Sequence, residues 1–223
     1  MAVSTTLSLE TANRRFDGAP ATDVIAWAAT QFGDDLVLAS SFNDCVLIDL
    51  VARTAPHVTV AFLDTQYHFV ETLEYVERVR RRYGLRLEVL RPLVAPDDRW
   101  RTDTDACCAA RKVEPLGRAL RNRTAWMSGL RRAEAATRAS APVVSWDSRW
   151  QAVKVNPIVT WTDAQVAGYA REHDLPQHPL ASLGYRSIGC WPCTRPTGDD
   201  EDARAGRWSG TDKLECGLHP ASS

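Results

Sequence analysis

Short apolar runs alternate with amphipathic stretches along most of the chain. "TDVIAWAATQF", Thr22 to Phe32, carries its apolar positions at helical spacing, and Thr22 is placed to cap it. "DLVLAS", Asp35 to Ser40, is a short apolar run and predicts a buried strand. "NDCVLIDLVART" predicts a helix, and "HVTVAFLD", His57 to Asp64, a second, β-branched strand. "FVETLEYVERVRRRYG" predicts a helix ended by Gly84, and "LRLEVL", Leu85 to Leu90, a third strand. "ACCAARKVEPLGRALR" is helical in pattern, with a break expected near Pro115; "TAWMSG", Thr124 to Gly129, is a strand. "PVVSWD" and "AVKVNPIV" add two more strand candidates, and "WTDAQVAGYAREH" opens on a capping box, Thr162 with Gln165.

Strands that alternate with helices predict an α/β protein: a single domain with a mainly parallel central sheet flanked by helices. After Leu175 the pattern dissolves. The remaining segment is rich in Gly, Pro and charge, and predicts an irregular, mobile C-terminal tail. The division expected is residues 1–193 as the α/β domain and 194–223 as the tail. No internal repeat is visible.

Composition narrows the class. At 223 residues and 44% hydrophobic content the chain can bury a full core. The N-terminus, "MAVSTTLSLETANRRF", lacks the apolar stretch of a signal peptide, and no run approaches membrane-spanning length. A cytoplasmic protein without membrane association is expected. A net charge of -1 gives no reason to expect nucleic-acid binding. The oligomeric state is left open, a homo-oligomer included. Lysine occurs only at Lys112, Lys154 and Lys213, which singles out Lys112 among the many arginines.

"LVLASSFNDCVLIDL" places small polar residues between a strand and a helix, where an α/β sheet binds nucleotides. Backbone N–H groups and the Ser40 and Ser41 hydroxyls suit an oxyanion there. The loop has no glycine and is not a G-x-x-x-x-G-K-[ST] loop; alone it equally fits a plain connection with a serine cap. "FLDTQYHFVET" follows the second strand in the same way. Asp64 and Thr65 stand at its carboxyl end; Asp64 suits a ribose or adenine donor, or simply a helix cap.

Six cysteines in a chain without a secretion signal point to metal or catalysis rather than disulfides. Cys107 and Cys108 are adjacent, and Cys190 and Cys193 form a C-x-x-C. Adjacent cysteines on a helix point about 100° apart, which strains a single zinc ion but suits two corners of a [4Fe–4S] cube. A vicinal disulfide at Cys107–Cys108 and a redox pair at Cys190–Cys193 remain as alternatives. Cys45 lies in an apolar run and fits the core. Cys216, in "KLECGLHP", stands in a polar tail near the arginines of "RAGRW" and near His219, where a thiol can be activated and carried over a substrate.

The strings "CCAARKVEPL", "SGLRR", "KVNPI", "GYRSIGCWPCTRP", "EDARAGRW" and "KLECGLH" together resemble the assimilatory adenylyl-sulfate reductases of the PAPS/APS reductase family. The resemblance runs from about Leu36 to His219. One departure is Gln66, where the family pattern has glycine in "DTGYHF". The resemblance implies an adenine nucleotide alpha hydrolase-like fold and a [4Fe–4S] cluster on Cys107, Cys108, Cys190 and Cys193. It implies Cys216 as the nucleophile, with Ser40, Ser41, Asp64, Thr65, Lys112, Arg131, Arg204, Arg207 and His219 lining the substrate pocket. Arg132 and Trp208 are their expected neighbours. The implied reaction reduces adenosine 5'-phosphosulfate to sulfite and AMP through an S-sulfocysteine, with thioredoxin as reductant, in sulfate assimilation.

Three rivals remain. A 3'-phosphoadenylyl-sulfate reductase resembles this chain at the tail cysteine, but that group lacks the four cluster cysteines. An ATP-using adenylyltransferase is disfavoured by "SSFNDC", which has no glycine. An iron–sulfur or zinc-stabilised nucleotide-binding sensor has no use for a tail nucleophile.

Overall fold

The computed structural model describes residues 8–218. Helices α1 (Leu9–Phe16) and α2 (Ala21–Phe32) lead into β1 (Leu36–Ser40). Then come α3 (Val46–Thr54), β2 (Thr59–Leu63), α4 (Val70–Tyr83) and β3 (Leu87–Leu90). Short helices α5 (Arg99–Thr102), α6 (Thr104–Cys108) and α7 (Glu114–Leu120) precede β4 (Ala125–Ser128). The pair β5 (Val144–Asp147) and β6 (Ala152–Val155) and helix α8 (Asp163–Glu172) complete the regular elements.

The six strands form one sheet in the order β3-β2-β1-β4-β6-β5. Every pairing is parallel except β5 with β6. Alternation along each strand fills both faces. Leu36, Leu38, Val60, Phe62, Ala125 and Met127 join the larger core with α2, α3 and α4. Val37, Ala61, Leu63 and Trp126 join a smaller one with Leu116 and Leu120 of α7. From β1 the chain winds outward through β2 and β3, then returns to place β4 on the other side. The switch point is therefore the crevice between the carboxyl ends of β1 and β4, where such sheets bind ligands.

Several local expectations hold. Gly84 ends α4 in the left-handed region (φ 59°), and Thr162 with Gln165 forms the capping box of α8. Two differ. Thr22 does not cap α2: Pro20 occupies the cap position two residues earlier, its fixed φ starting the helix at Ala21, so Thr22 falls inside the first turn. The chain also does not break at Pro115. Residues Ala109–Val113 form a π-turn in which the Glu114 N–H reaches back to the Ala109 carbonyl. Pro115 then sits in the first turn of α7, where its missing N–H costs little. After α8, among the described residues, two short 3-10 turns occur, Pro179–Leu183 and Trp191–Cys193. Among the described residues no helix is long and apolar enough to cross a membrane.

Candidate active site

The switch point opens into a cavity of about 740 Å³, within the range of small-molecule sites. Ser40, Ser41, Thr65, Lys112, Arg131, Arg204, Arg207 and Cys216 all line it. His219 lies outside the described residues. Asp64 is not in the lining: its carboxylate accepts from the Gln66 N–H (3.0 Å) and pairs with Arg91 (2.9 Å). It does not cap a helix, since α4 begins only at Val70. Arg132 also turns away, to Asp17 at 3.1 Å and the Ala141 carbonyl at 2.8 Å.

The loop after β1 is shaped without glycine. Phe42 takes the left-handed conformation (φ 54°), which costs about 1–2 kcal/mol for a residue bearing Cβ. Its fully buried ring stacks edge-on against Phe62 at 5.4 Å, which offsets that cost. Ser40 Oγ accepts from the Phe42 N–H (3.1 Å), and Asp44 Oδ1, just before α3, accepts from the Val46 N–H (3.0 Å). Asn43 reaches across to the Ile188 N–H at 2.7 Å, joining this loop to the C-x-x-C segment. The second loop uses the same device. Gln66 is left-handed (φ 67°), the conformation a glycine would supply, and its side chain accepts from the buried Arg111 guanidinium at 2.9 Å.

Beside this cavity a small space is walled by Cys107, Cys108, Cys190 and Cys193, with Arg111, Lys112 and Trp208. All four thiols are free. Cys107 and Cys190 pack together with Tyr67, and Thr65 Oγ1 lies 3.2 Å from Cys190 Sγ. Burial pushes the Cys107, Cys108 and Cys193 thiols up, Cys193 to about 11. Among the described residues no three His, Cys, Asp or Glu side chains gather tightly enough to hold one metal ion. Lys112 and Trp208 line both spaces, so the two sites share a wall.

Cys216 is half-buried on the cavity wall. Burial alone would raise its thiol. Lys112, the Leu218 N–H and Arg207 outweigh that and hold it below the ordinary thiol value. Gly217, left-handed at φ 82°, makes the turn that brings this N–H back to the sulfur. Burial would likewise lower the Lys112 ammonium, but its electrostatic interactions with the surrounding cysteines, Cys190 first, hold it above its usual value. Arg207 lies flat against the backbone of the C-x-x-C segment, donating to Ser187 Oγ and the Ile188 carbonyl at 3.3 Å each. A Cβ on Gly189 would come within 2.4 Å of its guanidinium.

Sequence reasoning missed Arg138 and Glu215. Both line the cavity and form a two-pronged ion pair, 2.7 Å on each prong. Arg138, in "TRASAP", is one of the chain's many arginines, with no spacing to mark it. Arg111 was missed as well, overshadowed by its rarer neighbour Lys112; it is buried over the Tyr67 ring at 4.5 Å.

Comparison with known proteins agrees with this geometry. Residues 35–196 match the model of the phosphoadenosine phosphosulfate reductase domain. The chain is 44% identical to an adenosine 5'-phosphosulfate reductase of Streptomyces coelicolor, over 94% of this chain and 92% of that one. It is 41% identical to one of Halalkalibacterium halodurans, over 96% and 97%. Among solved structures, phosphoadenylyl-sulfate reductase from Candida auris superposes with a TM-score of 0.75 at 28% identity, over 86% of this chain and 98% of that one. FMN adenylyltransferase of Candida glabrata shares the fold at a TM-score of 0.60 and 15% identity, over 88% and 69%. A nucleotide-sized cavity at the switch point, a tail cysteine held below its ordinary value on its wall, and a family match spanning all six strands place this chain in the phosphoadenosine phosphosulfate reductase family.

Proposed function

We propose that this protein reduces adenosine 5'-phosphosulfate to sulfite and AMP, using the Cys216 thiolate as nucleophile and a thioredoxin dithiol as reductant in sulfate assimilation. The observation that carries the reading is Cys216 itself. It is a thiol held below its ordinary value against the pull of burial, facing a cavity of nucleotide size beside Lys112 and Arg207.

The thiolate attacks the sulfur of the sulfate group. The bond from that sulfur to the bridging oxygen breaks, AMP leaves with the electron pair, and Cys216 becomes an S-sulfocysteine. A thioredoxin thiolate then attacks Cys216 Sγ. Sulfite leaves with the electron pair of the S–S bond, and the second thioredoxin thiol displaces Cys216, leaving a disulfide on the reductant. Two anions meet in the first step, so cations must offset the repulsion. Among the described residues Arg207 is held by neutral acceptors and Lys112 is in no ion pair with a carboxylate, so both are available to sulfate oxygens.

Cys107, Cys108, Cys190 and Cys193 would hold a [4Fe–4S] cluster. The support is the donor set: four free thiols lining one space, two of them adjacent on a helical turn and two in a C-x-x-C, ligands of the kind an iron–sulfur cluster takes. When bound, it supplies fixed charge at the wall that Lys112 shares with the substrate cavity. Preference for adenosine 5'-phosphosulfate over its 3'-phosphorylated form rests on the names carried by the more similar relatives.

The test uses radiosulfur-labelled adenosine 5'-phosphosulfate and the holoenzyme without reductant. Label should remain on the Cys216 peptide and leave as sulfite when reduced thioredoxin is added. A Cys216→Ser variant that still retains label would overturn the mechanism.

A further inference from the structure

The tail segment that carries Cys216 is tied to the body before it, at Lys213 and Glu215, and after it, where the Gly217 carbonyl accepts from the exposed Arg149 at 2.6 Å. Toward its N-terminal side, Lys213 pairs with Asp105 of α6, beside Cys107. Asp105 is 88% exposed, so this tie is screened by solvent and weak. The second tie differs. Glu215 inserts its carboxylate between Arg138, which grips it with Nε and Nη2 at 2.7 Å each, and the Thr137 hydroxyl at 3.2 Å. Arg204 adds a longer contact at 3.4 Å. The side chains of Arg138 and Glu215 are only 9% and 13% exposed. A forked pair in that setting is strong, directional and costly to break from one side. The Arg138 grip is built on the body, since Arg138 is also bonded to Glu134 within the same turn.

Glu215 does not activate the neighbouring thiol, because its negative charge raises Cys216. A carboxylate placed next to a nucleophile it disfavours needs another use. Consecutive Cα atoms are about 3.8 Å apart, so fixing the Glu215 side chain fixes the backbone of Cys216.

We propose that Glu215 is a positioning residue. Its pair with Arg138 is the clamp that sets Cys216 against Lys112 and Arg207, and release of that clamp lets the tail carry the modified cysteine out to the reductant. This rests on Cys216 being the nucleophile. The clamp favours the first half of the reaction, in which sulfur must be aligned within the cavity. It opposes the second half, in which a protein dithiol must reach the same atom.

The test is the alkylation rate of Cys216 by iodoacetamide in the holoenzyme without substrate, read across pH by peptide mass spectrometry. Glu215→Gln keeps the shape and removes the charge. Loss of a charge-assisted bond should raise the rate on the high-pH plateau about tenfold or more. Asp105→Asn should raise it much less, and Arg138→Lys should fall between. Cys45, buried and pushed up to about 11, should stay unlabelled at neutral pH and serves as internal control. A Glu215→Gln profile that moves to lower pH with an unchanged plateau would show an electrostatic role alone and overturn the clamp. Glu215→Asp, which withdraws the carboxylate by one methylene, is read the same way if the glutamine variant does not fold. Single-turnover S-sulfonation should slow in Glu215→Gln, while reductive release of preformed S-sulfo enzyme should not. Slowing of both equally would also overturn the proposal. Alkylation needs no turnover, so a wild-type enzyme that fails to trap label would refute the proposed reaction while the plateau still decides the clamp.

Discussion

Gly189 offers a sharp test of how the cysteine segment serves the substrate cavity. Its backbone is not left-handed, so alanine fits the chain itself. The obstacle is one side chain. An added Cβ would lie 2.4 Å from Arg207 Nη2 and 2.6 Å from its Cζ, against an ordinary contact of about 3.4 Å or more. The guanidinium must therefore retreat by about 1 Å, giving up its bonds to Ser187 Oγ and the Ile188 carbonyl. It is the free end of a flexible side chain, so the move costs little stability. It removes a cation from beside Cys216 and the sulfate position. A 1 Å misplacement of such a group costs about 100-fold in rate, or about 2.7 kcal/mol of barrier. Gly189→Ala should thus lower kcat/KM about 100-fold with the melting temperature nearly unchanged. The alkylation midpoint of Cys216 should move up, since Arg207 is one of the groups holding it down. The decisive assay is a double-mutant cycle. If alanine acts by displacing Arg207, then Gly189→Ala should cost almost nothing in an Arg207→Ala background. Full additivity of the two losses would refute the reasoning, and, with the proposed cluster bound, an unchanged visible spectrum would show that neighbouring Cys190 is undisturbed.

Gly206 contrasts with Gly189 because its added Cβ would meet a backbone atom, the Arg195 carbonyl at 2.2 Å. Gly206→Ala should open the bridge between Thr194 and Arg207 and make residues 194–218 protease-sensitive; a wild-type digestion pattern would contradict this. Lys112→Met should shift the Cys216 alkylation midpoint upward, because Lys112 leads the groups lowering it; the thiolate, present above that midpoint and lost as pH falls through it, would be scarcer at neutral pH. His178 is buried, with burial the main cause of its pKa falling to about 4, and is bonded to Thr72 Oγ1 and the Leu180 N–H. Its folded value lies below the unfolded one, so its share of stability is full above about pH 6.5 and is lost as pH falls toward 4, a loss of about 3 kcal/mol. Melting temperature should consequently fall less between these pH values in His178→Gln than in wild type.

What was legible in the sequence follows from where each constraint is written. The sheet was readable because each strand carries its own two-faced burial: Leu36 and Leu38 on one side of β1, Val37 on the other. That Cys107, Cys108, Cys190 and Cys193 come together around one space was readable because few residue types perform their chemistry, and adjacency at Cys107–Cys108 is unusual enough to count as a signal. The irregular tail was readable from glycine and proline, but its attachment was not. Glu215 meets Arg138 across 77 residues, and nothing local to either marks the pairing. The left-handed positions at Phe42 and Trp208 were hidden for the opposite reason, and Gln66 was marked only by standing where the resembled family has glycine. Phe42, Gln66 and Trp208 adopt a conformation whose usual marker is glycine. At each a side-chain contact offsets the strain: the Phe62 ring for Phe42, the Arg111 guanidinium for Gln66, and Arg207, 4.7 Å above the ring, for Trp208. At Gly189 the marker is present, yet it signals no turn. The missing side chain there makes room for Arg207, so the need for glycine lies in a residue eighteen positions away. A local rule for glycine reads backbone angles and passes over such a site, whereas the space taken by a distant guanidinium explains it.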